Sequence, residues 1–411
     1  MTGRTDMGAR RRIAVVTGTR AEYGLLRPVM ERIRASARLD LRVVATGAHL
    51  LPSQGLTVED LRRDGFAPDV EVDMVVGGDS RRAVAKSIGL GVIGLTDAFV
   101  ALAPDAVLIL GDRYEALAAA TAALALGVPI AHLEGGHVTE GAFDDSIRHA
   151  ITKMAQIHFT AADRYGARLV QMGERPESVH VVGSTGVDNV LAVPRMSRAE
   201  LEADLGIPLT APVLVVTHHP ATAGVADALA EVEALVGAIE DAGAGAVIVT
   251  GANADPEGEA INARFRRFVE AAPERRRFVQ SLGMRRYISL VGEADVVVGN
   301  SSSGVIEAPS LGAPTVNIGE RQTGRLKAAS VLDCPPERAA IVAAIRKALS
   351  PELRAAAATG KSPFGDGHAA DRIVAILETA PLRPRAAKPF HDLDEAMPPA
   401  NLQPEPTASQ R

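Results

Sequence analysis

The chain has almost no cysteine, and this limits how its fold can be held together. Cys334 is the single cysteine among 411 residues, so no disulfide can form within the chain. Such usage fits a reducing compartment. The N-terminus is basic but runs directly into a strand-like segment, without the apolar stretch and cleavage site of a secretory signal. We therefore expect a cytoplasmic protein.

An overall excess of basic residues is also absent. There are 44 Lys and Arg against 50 Asp and Glu, a net charge of −6. This balance argues against a nucleic acid or an anionic membrane as partner. The most membrane-like stretch, residues 116–133, is interrupted by Gly127 and Pro129. It is typical of a helix followed by a buried strand, so we expect no membrane segment.

The common phosphate-binding and metal-binding motifs are missing. The first loop, from Thr17 to Tyr23, fits neither the dinucleotide fingerprint G-x-G-x-x-G nor the phosphate loop G-x-x-x-x-G-K-[ST]. Nicotinamide and ATP enzymes of the usual kinds are therefore disfavoured, although a glycine turn with Arg20 can still hold an anion. The histidines fit no H-E-x-x-H pattern. We expect neither a cofactor nor a metal.

Short apolar runs alternate with helix-length segments along the chain. This pattern predicts parallel, doubly wound sheets covered on both faces. The strand-like runs are residues 13–17, 41–46, 106–110, 129–133, 157–160 and 179–182, then 213–217, 246–250, 294–299 and 314–318. A polar pause near residue 195 and the length of the chain predict two domains. The expected boundaries are a disordered N-terminus at 1–11, domains at 12–194 and 195–365, a helix at 366–380 and a disordered tail at 381–411.

Acidic residues follow two of the predicted strands. Asp112 and Glu134 each come directly after an apolar run. They should project at the carboxyl edge of the sheet, where open α/β folds bind ligands. Asp144 and Asp145 open the helix that carries Arg148. Carboxylates gathered in one cleft raise one another's pKa values, which provides an acid and a base near neutral pH. Each acid taken alone could equally serve as a helix cap or in a salt bridge.

The run GNSSSG at residues 299–304 follows a strand and precedes a helix with Glu307 in its second turn. Small residues, hydroxyls and helix N-terminal amides are typical of a diphosphate cradle. Glu307 is placed to accept the hydroxyls of a ribose. Further candidates for ligand contact lie at strand ends or close to these loops: Arg20, Arg113, Arg148, Arg321, Arg325, His218, His219 and Asn253.

Six segments, in order from residue 15 to about 373, resemble the hydrolysing UDP-N-acetylglucosamine 2-epimerases of sialic-acid and related nonulosonate pathways. They read VTGTRAEYGLLRPVM, ATGAHLLPSQGLTVEDLRRDGF, GDRYEALAAATAAL, HLEGGHVTEGAFDDSIRHAITKMAQIHF, GNSSSGVIEAPSLGAPTVNIGERQTGR and FGDGHAADRI. The resemblance implies a GT-B fold, in which two Rossmann-like domains enclose a nucleotide-sugar in the cleft between them. It also implies a homo-oligomer, either a dimer or a tetramer.

The resemblance further implies that UDP-N-acetylglucosamine and water give UDP and N-acetylmannosamine. One carboxylate removes the C2 proton as UDP leaves from C1, which forms a glycal. A second acid returns a proton to the opposite face of C2, and water adds at C1. The catalytic set expected is Asp112, Glu134, Asp144, Asp145 and Arg148. The set expected to hold the nucleotide-sugar is Arg20, Arg113, His219, Asn253, Ser301, Ser302, Glu307 and Arg321.

One position departs from the family pattern, because His137 stands where many relatives place glutamate. This leaves the sugar open, since relatives also act on bacillosamine-type diacetamido sugars linked to UDP or GDP. The sequence is also compatible with a nonhydrolysing epimerase, a GT-B glycosyltransferase or a noncatalytic nucleotide-sugar sensor. The run TEGAFDDSIRHAITK favours the hydrolysing branch.

Overall fold

The computed structural model describes residues 10–77, 80–138, 143–220, 228–252, 258–382 and 388–393. Within them, the chain forms two parallel sheets covered by helices. The strands of the first sheet are β1 (Arg11–Thr17), β2 (Leu39–Thr46), β3 (Val70–Val72), β4 (Ala106–Leu110), β5 (Ile130–Leu133), β6 (Ile157–Thr160) and β7 (Val179–Val181). The helices between them are α1 (Arg20–Ala35), α2 (Val58–Arg63), α3 (Arg81–Leu102), α4 (Tyr114–Leu126), α5 (Phe143–Met154) and α6 (Asp163–Gln171), and α7 (Thr185–Ala192) follows β7.

The second sheet is built in the same way from the rest of the chain. Its strands are β8 (Val213–Thr217), β9 (Ala246–Thr250), β10 (Arg276–Val279), β11 (Val296–Gly299), β12 (Thr315–Ile318) and β13 (Val331–Cys334). The accompanying helices are α8 (Arg198–Leu205), α9 (Ala228–Ala242), α10 (Gly258–Glu270), α11 (Gly283–Gly292), α12 (Ser302–Ile306), α13 (Arg338–Ala348), α14 (Pro351–Ala358) and α15 (Ala369–Thr379).

Both sheets are doubly wound, which confirms the predicted fold class. The first has the strand order β3-β2-β1-β4-β5-β6-β7 and the second β10-β9-β8-β11-β12-β13. All neighbouring strands run parallel. The order reverses between β1 and β4 and between β8 and β11. Ligands bind at such switch points in open α/β sheets, so these positions direct attention to the loops after β1, β4, β8 and β11.

The alanine-rich helix α4 lies close against α3. A Cβ added to Gly91 would lie 2.9 Å from the Cβ of Ala118, so only small residues allow this approach. Within the described residues, α3 is long and apolar enough to cross a membrane, by length and composition only. However, Leu95 and Phe99 on it are buried in the core. The stretch at 116–133 forms α4 and β5, as the sequence predicted.

The last helix, α15, returns to the first sheet. Its apolar residues Ile373, Val374 and Leu377 join the core beside β1 and α1. The carboxylate of Asp188 on α7 accepts the backbone N–H groups of Ala369 at 3.0 Å and Ala370 at 2.7 Å, which caps the start of α15.

The first sheet ends with β7 and the second begins with β8, and the predicted boundary at residue 195 lies between these two strands. The domain boundaries themselves stay a prediction. Residues 1–9, 383–387 and 394–411, where most of the predicted disorder falls, lie outside the described residues. Residues 388–393 follow the surface of the first domain, where the N–H of His391 donates to the carbonyl of Gly173.

Candidate active site

The carboxyl edge of the first sheet brings Asp112 and Glu134 onto neighbouring strands. Asp112 follows β4 and Glu134 follows β5, and the two strands pair in parallel up to Leu110 and Leu133. The N–H of Gly111 donates to the carbonyl of Leu133 at 3.0 Å, so the pairing continues to the edge. The predicted placement of both acids at the same edge therefore agrees with the fold.

Arg148 links the acids from α5. Its side chain is only 5% exposed. The Nε atom lies 3.0 Å from Oδ2 of Asp112, and Nη2 donates to the same oxygen. The Nη1 atom lies 2.8 Å from Oδ1 of Asp145 and 2.7 Å from the carbonyl oxygen of His137. A buried guanidinium that binds two carboxylates fixes both by charge-assisted hydrogen bonds. We therefore regard Arg148 as the group that positions the acids.

Glu134 is held in an unusual backbone conformation. Its φ is +62°, in the left-handed region that a residue with a Cβ disfavours by about 1 kcal/mol. Both carboxylate oxygens meet protein groups, because Ser184 Oγ donates to Oε1 at 3.0 Å and His137 Nε2 lies 2.8 Å from Oε2. Strain of this kind persists where the surroundings enforce it, often at functional sites.

Asp144 differs from the other three acids. It lies exposed in the first turn of α5, whereas the carboxylate of Asp145 beside it contacts Arg148. Asp145 also lies 3.4 Å from Nε2 of His149. The structure therefore joins Asp112, Asp145 and Arg148 in one cluster and leaves Asp144 at its rim.

The histidines close to the acids have structural partners. His132 is buried, its Nε2 lies 2.8 Å from the carbonyl oxygen of Gly111, and burial lowers its pKa to about 3. His158 is buried against Glu174, with Nε2 2.8 Å from Oε2. Among the described residues, no group of three or more His, Cys, Asp and Glu side chains is arranged to hold a metal ion.

A buried acid pair that the sequence did not reveal lies beneath the first loop. Burial, reinforced by the nearby Glu115, raises the pKa of Glu22 to about 7. The N–H of Gly18 donates to Oε2 of Glu22 at 2.8 Å, and Arg113 binds Glu115 at 3.1 and 3.2 Å. The sequence predicted mutual repulsion for the acids after β4 and β5 and at the start of α5; the raised pKa of Glu22 concerns a different pair. Gly47 lies against the pair, since a Cβ there would be 2.8 Å from Glu115.

The second domain places a polar network after β8 and β11. The side-chain amide of Asn300 donates to the carbonyl of His219 and accepts from its N–H, both at 2.8 Å. Arg321 Nη1 donates to the carbonyl of Asn300 at 3.2 Å, as does Nε2 of Gln322 at 2.9 Å. Gly299, with a φ of +136°, is required here, because a Cβ would lie 1.9 Å from the carbonyl oxygen of Thr217.

The serine run begins a shorter helix than the sequence predicted. Ser301 caps α12 by accepting from the N–H of Ser303, and α12 ends at Ile306 after five residues. Glu307 comes directly after the last helical residue, and its N–H still donates to the carbonyl of Ser303 at 2.9 Å, so it stands at the end of the second turn. Its carboxylate accepts from the hydroxyl of Ser303. Helix α12 ends here because Pro309 lies in a 3₁₀ turn at 308–311 and cannot continue an α-helix.

A cavity of about 1140 Å³ lies between the two domains. The first domain contributes Arg20, Tyr23, Arg27 and Asn189 to its wall, and the second Thr250, Gly251, Gln280, Tyr287 and Glu307. A second cavity of about 680 Å³ extends beside it under α2 and α3, lined by Arg20, Arg113, Leu51, Val75 and Val76 among others. Arg20 belongs to both walls, so it marks the junction of the two cavities.

The chain also matches a known family over most of its length. Residues 31–378 fit the sequence model of the family described as UDP-N-acetylglucosamine 2-epimerase. The chain belongs to the UDP-N-acetylglucosamine 2-epimerase family. It is therefore an enzyme that acts on nucleotide sugars, which confirms the resemblance found in the sequence.

Individual relatives in this epimerase family agree with the match. The chain is 36% identical, over 79% of its length and 84% of the relative, to GDP/UDP-N,N'-diacetylbacillosamine 2-epimerase (hydrolyzing) of Campylobacter jejuni. It is 33% identical, over 90% of its length and 97% of the relative, to UDP-N,N'-diacetylbacillosamine 2-epimerase (hydrolyzing) of Legionella pneumophila. Its fold matches the crystal structure of UDP-GlcNAc 2-epimerase from Neisseria meningitidis bound to UDP-GlcNAc, with a TM-score of 0.74 at 18% identity over 89% of this chain and 99% of the other.

In this family member, the predicted residues fall into three groups. Asp112, Asp145 and Arg148 form one cluster and Glu134 follows the neighbouring strand. Arg20 and Glu307 line the interdomain cavity. His219, Ser301, Ser302 and Arg321 surround Asn300 or begin α12, while Asn253 lies outside the described residues. Sequence reasoning missed Ser184, Tyr287 and Gln280, because their contacts are made only in the folded chain.

Proposed function

We propose that this enzyme cleaves UDP-N-acetylglucosamine with water and inverts C2, giving N-acetylmannosamine and UDP. The observation that carries the proposal is the arrangement of Asp112, Asp145 and Glu134 around Arg148 and His137 at the carboxyl edge of the first sheet. Carboxylates held in fixed positions at a cleft suit the removal and return of a proton at a ring carbon. Sialic-acid or related nonulosonate synthesis would use such a product.

The C2 proton of the sugar is not activated by a neighbouring carbonyl group. Departure of UDP from C1 must therefore provide the driving force, so groups that bind the leaving diphosphate act in catalysis as well as in binding. Arg20 lines the cavity between the domains, and Arg113 lines the cavity beside it. Arg321 and the hydroxyls of Ser301 and Ser302 supply donors from the second domain. Glu307 and His219 complete the expected nucleotide site.

The test is turnover of UDP-N-acetylglucosamine in heavy water, followed by proton NMR. Free N-acetylmannosamine with deuterium at C2, together with UDP, is the expected result. A product that retains UDP, UDP-N-acetylmannosamine, would assign the nonhydrolysing reaction instead. Binding without any turnover would assign a nucleotide-sugar sensor.

A second candidate is hydrolysis of a UDP- or GDP-linked 2,4-diacetamido-2,4,6-trideoxy sugar. It is favoured by the two relatives named for diacetylbacillosamine, at 36% and 33% identity. The smaller cavity also has apolar walls at Leu51, Val75, Val76 and Val84, which suit a methyl group in place of a hydroxymethyl group. A panel of UDP- and GDP-linked amino sugars at equal concentration decides between the two by the ratio of kcat/KM values.

We also propose that the enzyme is a cytoplasmic homo-oligomer. Support comes from apolar side chains that α3 leaves at the surface, Leu90 at 47%, Ile93 at 65% and Val100 at 64% exposure. Exposed apolar groups of this kind on one helix suit contact with a second copy. Light scattering after size-exclusion chromatography is the test, and Ile93→Glu should shift the mass toward the monomer. A monomeric wild-type chain at micromolar concentration would contradict the proposal.

A further inference from the structure

His137 contacts one of the acids, although the proposed reaction gives it no chemical step. Its Nε2 atom lies 2.8 Å from Oε2 of Glu134. Its ring stacks on Tyr165, with centroids 3.9 Å apart and planes inclined by 31°. Its carbonyl oxygen accepts from Arg148, which also binds Asp112 and Asp145. The imidazole is therefore fixed at both its ring and its backbone, directly beside one of the acids.

Glu134 itself has limited contact with solvent. Its side chain is 18% exposed, and Ser184 and His137 each contact one carboxylate oxygen. The side chain of His137 is 31% exposed. The imidazole is thus in contact with a mostly covered carboxylate through Nε2 and is itself partly open to water.

The proposed reaction requires a connection of this kind. One acid ends each turnover with a proton taken from C2, and the other ends it without the proton given to C2. Both must be restored before the next turnover. As either the base or the acid of the proposed reaction, Glu134 would exchange one proton with its surroundings in each turnover.

We propose that His137 is a proton relay between Glu134 and solvent, an inference that rests on the proposed function. From Glu134 outward, the O–H bond at Oε2 breaks, an N–H bond forms at Nε2, and the N–H bond at Nδ1 breaks as its proton passes to water. The imidazole begins and ends neutral, with its proton on Nδ1 at first and on Nε2 afterwards. The first tautomer is restored when the ring turns Nε2 away from Glu134, Nε2 releases its proton to water and Nδ1 takes one from water. The inward direction uses the same bonds in reverse. His137 acts on the sugar only through Glu134.

The stacking on Tyr165 makes the relay specific to this position. Tyr165 is 5% exposed and belongs to a buried cluster with Val187 and Phe364. A ring held on one side by such a cluster keeps its Nε2 atom aligned with Glu134, and a flexible side chain would lose that alignment. The left-handed backbone at Glu134 and the glycines at 135 and 136 bring the two side chains together three residues apart.

Two variants separate proton transfer from packing. In His137→Gln the amide can donate to Glu134 but cannot pass a proton on, so kcat should fall about tenfold to a hundredfold with KM within about twofold. In His137→Ala, added imidazole should restore kcat several-fold in a saturable manner. The matched control is His368→Gln, since His368 also contacts a carboxylate three residues away, Asp371 at 3.3 Å, but is 66% exposed. It should leave kcat unchanged.

The assay follows released UDP, the configuration of the sugar and deuterium at C2 in heavy water. Wild-type rates in His137→Gln would overturn the relay, and so would a slow His137→Ala that imidazole does not accelerate. If either result were found while the wild-type enzyme turned over normally, only the relay would be overturned and the proposed function would be retained. Absence of turnover by the wild-type enzyme on every nucleotide-sugar of the panel would overturn both.

Discussion

The Nε atom of Arg148 lies 3.0 Å from Oδ2 of Asp112, although 36 residues separate them in the chain. The same guanidinium reaches Asp145 one turn earlier on its own helix. The acid that follows β4 and the acid at the start of α5 are thereby fixed relative to each other by one side chain. Replacing this guanidinium by a group that cannot bind both carboxylates should therefore displace Asp112 and Asp145 together.

Arg148→Lys tests this arrangement. The ammonium group keeps the charge but can no longer make the forked contacts, so both carboxylates lose their fixed positions. We expect kcat/KM to fall about a hundredfold, in line with the effect of small misplacements of catalytic groups. Steady-state kinetics measures the effect. Arg32→Lys, at the exposed pair of Arg32 and Asp371, should keep wild-type kinetics. Equal rates in both variants would show that the fork has no catalytic consequence.

Asp112→Asn and Glu134→Gln should each lose a hundredfold or more in kcat, roughly the contribution of acid–base catalysis. Both replacements keep the size of the side chain, so nucleotide affinity should change little. Isothermal titration with UDP and single-turnover kinetics together separate the two effects. Near-normal turnover in both variants would place the proton transfer on other residues.

Glu22→Gln should change how stability depends on pH. Because its pKa in the folded chain is about 7 against an ordinary value of 4.5, the folded state binds more protons than the unfolded state between these values. The stability that Glu22 contributes is present below about pH 4.5 and is lost as the pH rises through 7. Glutamine stays uncharged, so the variant should gain about 2 kcal/mol relative to the wild type between pH 5 and pH 8.

Denaturant unfolding at the two pH values measures that difference. The control is Glu31→Gln on the same helix, where the partly exposed Glu31 pairs with Arg27 on the surface. Its difference from the wild type should stay within about 0.5 kcal/mol at both pH values. If Glu22→Gln and Glu31→Gln gave parallel curves, the buried pair with Glu115 would not be the source of the dependence.

Gly299→Ala should damage the nucleotide side of the cleft. Its added Cβ would lie 1.9 Å from the carbonyl oxygen of Thr217, and the φ of +136° is unfavourable for alanine. The loss of unfolding free energy should reach about 3 kcal/mol or more, with weaker binding of UDP. Gly89→Ala, on the exposed face of α3 with open space around its Cβ, should be neutral or stabilising by up to about 1 kcal/mol. Equal melting temperatures would contradict this expectation.

Continuous apolar runs predicted the inner strands well. The predicted bounds of β4, β6, β8 and β9 are those of the structure. Three of the four edge strands, β3, β10 and β13, were missed, since β3 has three residues, β10 begins with two arginines and β13 contains Asp333. An edge strand has one neighbour and less apolar surface to cover, so its sequence carries less of the pattern.

The site was predictable where it depends on strand order and less so where it depends on distant contacts. Asp112 and Glu134 could be placed because each follows an apolar strand. Ser184, which contacts Glu134 across 50 residues, leaves no periodic signal in the chain. The raised pKa of Glu22 likewise depends on burial and on the nearby Glu115, and these two residues come together only in the folded chain.

The return of α15 to the first domain means that the chain crosses the cleft twice, once after α7 and once after α14. Because two segments of the chain connect the domains, we expect relative rotation about the line that joins these segments to be easy and rotation about other axes to be restricted. The carboxylate of Asp188 anchors the second crossing. We therefore expect the two domains to enclose a nucleotide-sugar by rotation about a single axis. The acids lie in the first domain and the expected diphosphate donors in the second.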